Sequence, residues 1–194
     1  HSPLLVFAIQ MMLMLVLGHT LALSQPFCLI IEKFVRFCSN TSIAAAIITF
    51  LTILVSLINW GLGLIFGAIF ARKVGEYASR KGFNLNYPLI GAAGYSGLMV
   101  WHGGISGSAP IKIAEKNHFL EHKIGVISQS ETVFSIMNIS ISLALLIILP
   151  LSMYYLGKIS SNSKITIQSQ KEEKKIIPKS AEKLDHSSIL SFIF

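Results

Sequence analysis

Four apolar stretches of unequal length, divided by short polar connectors, organise this chain. Pro3–Leu23 runs for about 21 residues with Gln10 and His19 as its notable polar side chains, enough for one transmembrane helix and too long for a signal-peptide core. Thr41–Ala71 is apolar for about 31 residues, Tyr87–Trp101 for about 15 and Thr132–Gly157 for about 25. The last is a second clear span. The 31-residue stretch is too long for one straight crossing and too short for two crossings with a loop. Its midpoint reads Leu57-Ile58-Asn59-Trp60-Gly61-Leu62-Gly63. The 15-residue stretch runs into His102-Gly103-Gly104-Ile105-Ser106-Gly107-Ser108-Ala109-Pro110. The expected architecture is therefore all-α and polytopic. It has spans over 3–23 and 132–157, a broken span over 87–114 and a hairpin over 41–71 that enters the membrane and returns. If the hairpin instead crosses, the connector with Lys33 and Arg36 changes side.

Charge placement supports the membrane class and orients it. The chain is 53% hydrophobic, with 16 basic and 9 acidic residues among 194. That charge density is about half the norm for soluble domains. The segments 72–86 and 158–186 carry 11 of the 16 Lys and Arg, so both are expected to be cytoplasmic. The loop 112–131 then lies outside, and the hairpin reading also places Lys33 and Arg36 inside. The Ser-, Lys- and Glu-rich segment 158–188 is expected to be a disordered cytoplasmic linker. Residues 189–194 read as the start of a spanning helix that is cut off, and with His1 in first place the chain reads as a fragment. The net charge of +7 fits the positive-inside pattern rather than nucleic-acid binding. Cys28 and Cys38 share one connector without a CxxC pair, which argues against a metal site.

The two interruptions carry the functional reading. A broken helix exposes N–H groups on one half and carbonyls on the other; the former attract anions and the latter can hold cations. Paired Gly-interrupted apolar segments are a sequence pointer to a transporter site. The candidate substrate-binding residues are Asn59, Trp60, Gly61 and Gly63 at the first break, and Gly103, Gly104, Ser106, Gly107 and Ser108 at the second. Trp60 and Trp101 flank the breaks and could line an apolar pocket or simply pack. His102 is the candidate proton-linked group.

These residues resemble the short-chain fatty acid transporter family. The matching stretches are Phe7–Ser24, Ile58–Ala71 and Tyr87–Pro110, with weaker likeness over Val133–Pro150 (Phe134, Asn138) and at Glu121-His122. The resemblance implies a bacterial cytoplasmic (inner) membrane protein, multi-pass and not an enzyme. It would be a secondary transporter of short monocarboxylates such as butyrate or acetoacetate, coupled to H⁺ or Na⁺ by symport and needing no other cofactor. It also implies an inverted-repeat carrier in which each repeat has one re-entrant hairpin and one broken helix. This chain would be the N-terminal half. The implied partners are the lipid bilayer, the carboxylate, a C-terminal half of the same protein and a homodimer mate. No intramembrane Asp or Glu is present to carry a proton, which favours Na⁺ or coupling residues in the other half.

Two rival classes stand beside this reading. His118-Phe119-Leu120-Glu121-His122 matches the HxxEH pattern of zinc peptidases, but it sits in a short loop with no acidic third ligand downstream; a non-catalytic membrane scaffold is the other rival. Asn40-Thr41-Ser42 is a formal glycosylation sequon that reads more simply as a helix N-cap. His19, near the end of the first span, reads as a hydrogen-bonded structural histidine.

Overall fold

The computed structural model describes residues 3–161; the linker and the terminal apolar run expected beyond Gly157 lie almost wholly outside the described residues. Eight α-helices and one 3-10 segment make up the described fold, with no strand element among the described residues. Among the described residues three helices are long and apolar enough to cross a membrane, within Leu5–Ala22, Thr41–Ile58 and Ile136–Ile159.

Helix α1 (Pro3–Ala22) opens with proline in its first turn, where no backbone donor is lost. Its Gly18 lies against α4: a Cβ there would stand 2.8 Å from the Leu62 nitrogen. Helix α2 (Gln25–Val35) is amphipathic. It buries Ile31 and Val35 and sets Phe27 edge-on to Phe66 at 6.0 Å. Asn40 then caps α3 (Thr41–Ile58), its Oδ1 accepting the Ile43 amide at 2.9 Å, as the N-cap reading expects. After Asn59 the chain reverses into α4 (Trp60–Lys81), which ends on Gly82 at φ +72°, a left-handed cap that suits glycine.

The reversal makes α3 and α4 antiparallel neighbours. Ser56 faces Gly63 and Thr52 faces Gly67, pairs that step back along one helix as they step forward along the other. The second arm continues past Ala71 to Lys81, so ten residues expected in a basic connector are helical. The apolar pattern stops at Arg72, but the helix does not: Glu76 is buried and accepts from Arg72 at 3.0 Å.

Asn86 caps α5 (Tyr87–Tyr95) through the Leu89 amide at 3.1 Å, and Thr41 Oγ1 accepts the Asn86 N–H at 3.0 Å, tying the starts of α3 and α5 together. Glycine allows α4 and α5 to touch backbone to backbone: a Cβ at Gly67 would fall 2.0 Å from the Gly94 carbonyl oxygen. A 3-10 segment (Ser96–Gly103) follows, then α6 (Ser108–Ala114) and the single turn α7 (Glu121–Ile124). Helix α8 (Ile136–Ile159) starts on a Ser135 cap and runs back along α3, with Asn138 near Gly103 and Gly157 against Ser42. The core is formed where α2, α3, α4 and α5 meet, around Ile48, Phe66, Phe70, Val74 and Ile90.

Candidate functional site

Asn59 is the whole of the first break. With φ −146° and ψ 116° it is extended between two helices, ending one and starting the next. Its own N–H closes α3 on the Val55 carbonyl at 2.9 Å, its carbonyl takes the Gly63 amide at 2.9 Å, and its Oδ1 takes the Leu62 amide at 3.0 Å. Asparagine can do this because its side chain carries both acceptor and donor beside a permissive backbone. Trp60, Gly61 and Gly63, expected within the break, occupy the first turn of α4 instead.

The second break is Gly104–Gly107, between the 3-10 segment and α6. Pro110 does not interrupt α6; it sits in the first turn, where proline is tolerated. The Gly107 amide folds back to the Gly104 carbonyl at 3.0 Å. Gly104 needs its missing side chain, since a Cβ would come within 2.6 Å of the Leu57 oxygen.

The two breaks are joined. The Leu57 carbonyl at the end of α3 accepts the Ile105 amide at 2.8 Å. The Trp60 amide at the start of α4 donates to Ser106 Oγ at 2.9 Å, in a buried position. Trp60 stacks on Trp101 with ring centroids 4.7 Å apart, and Trp101 stacks on the exposed ring of His102 at 4.9 Å. The two tryptophans therefore pack across the breaks. Their indole N–H groups are buried and have no partner among the described residues. The same holds for the hydroxyls of Thr49, Thr52 and Ser56 on one face of α3. Of the first-turn amides of α4, only that of Gly61 has no acceptor among the described residues. Ser108 is buried at the start of α6.

From Phe37 to Ala71 and from Gly82 to Ile111 the sequence has no Asp, Glu, Lys or Arg. Within these two stretches the donors open to an anion are backbone dipoles, neutral side chains and His102.

Sequence reasoning missed the contribution of α8. Its Asn138 amide donates to the Gly103 carbonyl at 2.9 Å and the Val133 carbonyl at 2.7 Å, bracing the second break from behind. Beside this brace lies a cavity of about 250 Å³ lined by Leu57, Gly103, Gly104, Asn138, Ser142 and Leu146 among others. The tryptophans do not line it. The signal that could have found this wall was Asn138 with Ser142 one turn on, polar groups in a mostly apolar span. A second cavity of about 240 Å³ lies between α1 and α6, at Gln10, Met14 and Ser108, beside the Lys112–Glu115 ion pair at 2.6 Å.

The HxxEH loop is built for turn structure. His118 is buried, with Nε2 2.9 Å from the Gly125 carbonyl and Nδ1 accepting the Leu120 amide at 3.2 Å. Glu121 accepts from the Asn117 backbone. Both His118 nitrogens thus face backbone groups, and no group of three His, Cys, Asp or Glu able to hold a metal occurs among the described residues. The zinc-peptidase alternative finds no support in this geometry.

A family model described as short chain fatty acid transporter matches residues 2–194. The chain belongs to the short-chain fatty acid transporter family. Among curated proteins it is similar to one of Escherichia coli (strain K12) named as a candidate short-chain fatty acid transporter. The two are 36% identical over 98% of this chain and 44% of that protein. A protein of the same description from Haemophilus influenzae (strain ATCC 51907 / DSM 11121 / KW20 / Rd) is 34% identical over 78% of this chain and 34% of its own length. The chain thus spans less than half the length of these family members. No solved structure matches it. A membrane protein of a transporter family is what these comparisons and the span-capable helices describe together.

Proposed function

We propose that this chain forms one half of a secondary carrier moving short-chain monocarboxylates across the bacterial cytoplasmic membrane, with H⁺ or Na⁺ as the coupling ion. The observation that carries the reading is the direct bonding of two helix breaks through Leu57–Ile105 and Trp60–Ser106. Such non-helical backbone at membrane depth is tolerated where it is enclosed by protein or lines a cavity, and discontinuous helices hold substrate in many carriers. The carboxylate would meet the Ser106 hydroxyl hydrogen, since its oxygen already serves Trp60, together with the Asn59 Nδ2 hydrogens and the Gly61 amide. Gly63, Gly103, Gly104, Gly107 and Ser108 would shape the approach, and exposed His102 would be the proton-linked group. In this reading the α3–α4 hairpin enters the membrane and returns, 72–86 and 158–186 face the cytoplasm and 112–131 faces outward. The other half of the site would come from the remainder of a family-length protein, with a homodimer as the assembly.

The test is uptake of labelled butyrate into proteoliposomes holding the product of the complete reading frame that encodes this chain. Asn59→Ala and Ser106→Ala should each lower uptake at least tenfold at equal membrane abundance. Unchanged uptake in both variants would remove the site from the breaks.

A further inference from the structure

The cavity behind the second break has a shape and chemistry that bear on which acids can be carried. It lies where the end of α3, the Gly103–Ile105 backbone and the first half of α8 meet. Its side-chain lining is aliphatic and aromatic apart from Asn138 and Ser142, and no charged residue borders it. The Asn138 amide hydrogens are already engaged by the Gly103 and Val133 carbonyls, so little in this wall would compensate a buried charge. A carboxylate would find no charged partner in this open-sided wall, whereas an alkyl chain laid along it would gain by leaving water. At about 250 Å³ the space falls just below the roughly 300–1,000 Å³ of pockets for drug-sized ligands, so it suits a molecule smaller than those. Leu57 and Ile105, which both border it, are the residues joined by the bond from the Ile105 amide to the Leu57 carbonyl. The cavity therefore begins at the clamp between the two breaks.

Along the cavity, α8 presents Asn138, Ser142 and Leu146 at one-turn intervals. At 1.5 Å per residue, Asn138 and Leu146 stand about 12 Å apart along the axis. The polar residues stand nearer the break and the half-buried Leu146 stands at the far end. We propose that this cavity holds the alkyl chain of the carried acid and that Leu146 closes it, so that α8 sets the upper limit of chain length. The inference rests on the carboxylate-carrier reading above and adds to it the wall that selects among acids.

Competition against labelled butyrate uptake in the same proteoliposomes tests it, with unlabelled acetate, propionate, butyrate, hexanoate and octanoate as competitors. Each methylene that enters the cavity should strengthen competition about fourfold, and the gain should stop when the chain meets Leu146. Leu146→Phe should move the best competitor to a shorter acid, and Leu146→Ala to a longer one, at unchanged membrane abundance. If the Leu146 variants fail to reach the membrane, Leu143→Phe on the same wall should shorten the preferred acid in the same way. Normal butyrate uptake with one chain-length profile in all variants would overturn the inference while leaving the carrier reading intact; the cavity would then hold a bilayer chain or another segment of protein. Absence of carboxylate uptake by the unsubstituted protein would overturn both.

Discussion

Ser106 Oγ accepts the backbone hydrogen of Trp60 at 2.9 Å, joining residues 46 positions apart in a buried bond. A helix start needs acceptors for its first amides, and here one comes from a distant loop rather than from the helix's own cap. The Trp60 amide at the α4 terminus therefore has its acceptor only when the second break is seated against it. Ser106→Ala leaves a buried donor without a partner, a cost of about 1–3 kcal/mol. Thermal unfolding in detergent should show a lowered Tm, and Ser106→Thr, which keeps an acceptor, should recover most of it. An unchanged Tm for the alanine variant would mean that the bond contributes nothing net.

How much of this was legible in the sequence follows from what each element advertises. Asn59 and the Gly/Ser run were visible because they interrupt apolar stretches whose lengths, about 31 and 15 residues, do not suit single spans. The extent of α4 was hidden because its apolar pattern ends at Arg72 while its backbone bonding continues to Lys81. The pairing of Ser106 with Trp60 was hidden because no local pattern encodes a contact across 46 residues. The wall made by α8 was hidden for a different reason. That helix is apolar nearly all round, so periodicity marks no inner face, and Asn138 and Ser142, one turn apart, are what mark the side toward the break. Trp60 and Trp101 were legible as flanking residues, but their stacking on each other depends on the joined breaks.

The hydroxyl of Thr52 offers a sharper contrast between stability and function. Thr49, Thr52 and Ser56 are fully buried on one face of α3, and none of their hydroxyls has a partner among the described residues. The spacing of three and four residues puts them on one stripe, facing the glycines of α4 and the 3-10 segment at Gly63, Gly67 and Gly97. Valine keeps the branched shape of threonine and removes the unpaired polar group. Thr52→Val should therefore stabilise the protein by about 1 kcal/mol, read as a raised Tm in the same detergent assay. A clear loss of stability would show that the hydroxyl is bonded in the working protein.

Cys38 lies in the connector between α2 and α3, fully buried, with its thiol turned to the Phe34 carbonyl at 3.4 Å. Burial disfavours the thiolate and pushes its pKa up from 9.0 to about 12. The folded chain holds this proton more tightly than the unfolded chain does. The group's contribution to stability is therefore complete below pH 9 and drains away as the pH rises from 9 towards 12. Reactivity gives the more direct measurement, because the thiolate is the attacking species. Near pH 8, iodoacetamide should modify Cys38 about a thousandfold more slowly in the folded protein than in denaturant, with peptide mass spectrometry reading each thiol separately. Half-buried Cys28 should be modified first. Equal rates at the two thiols would show that the α2–α3 connector opens readily and that Cys38 is not held in the core.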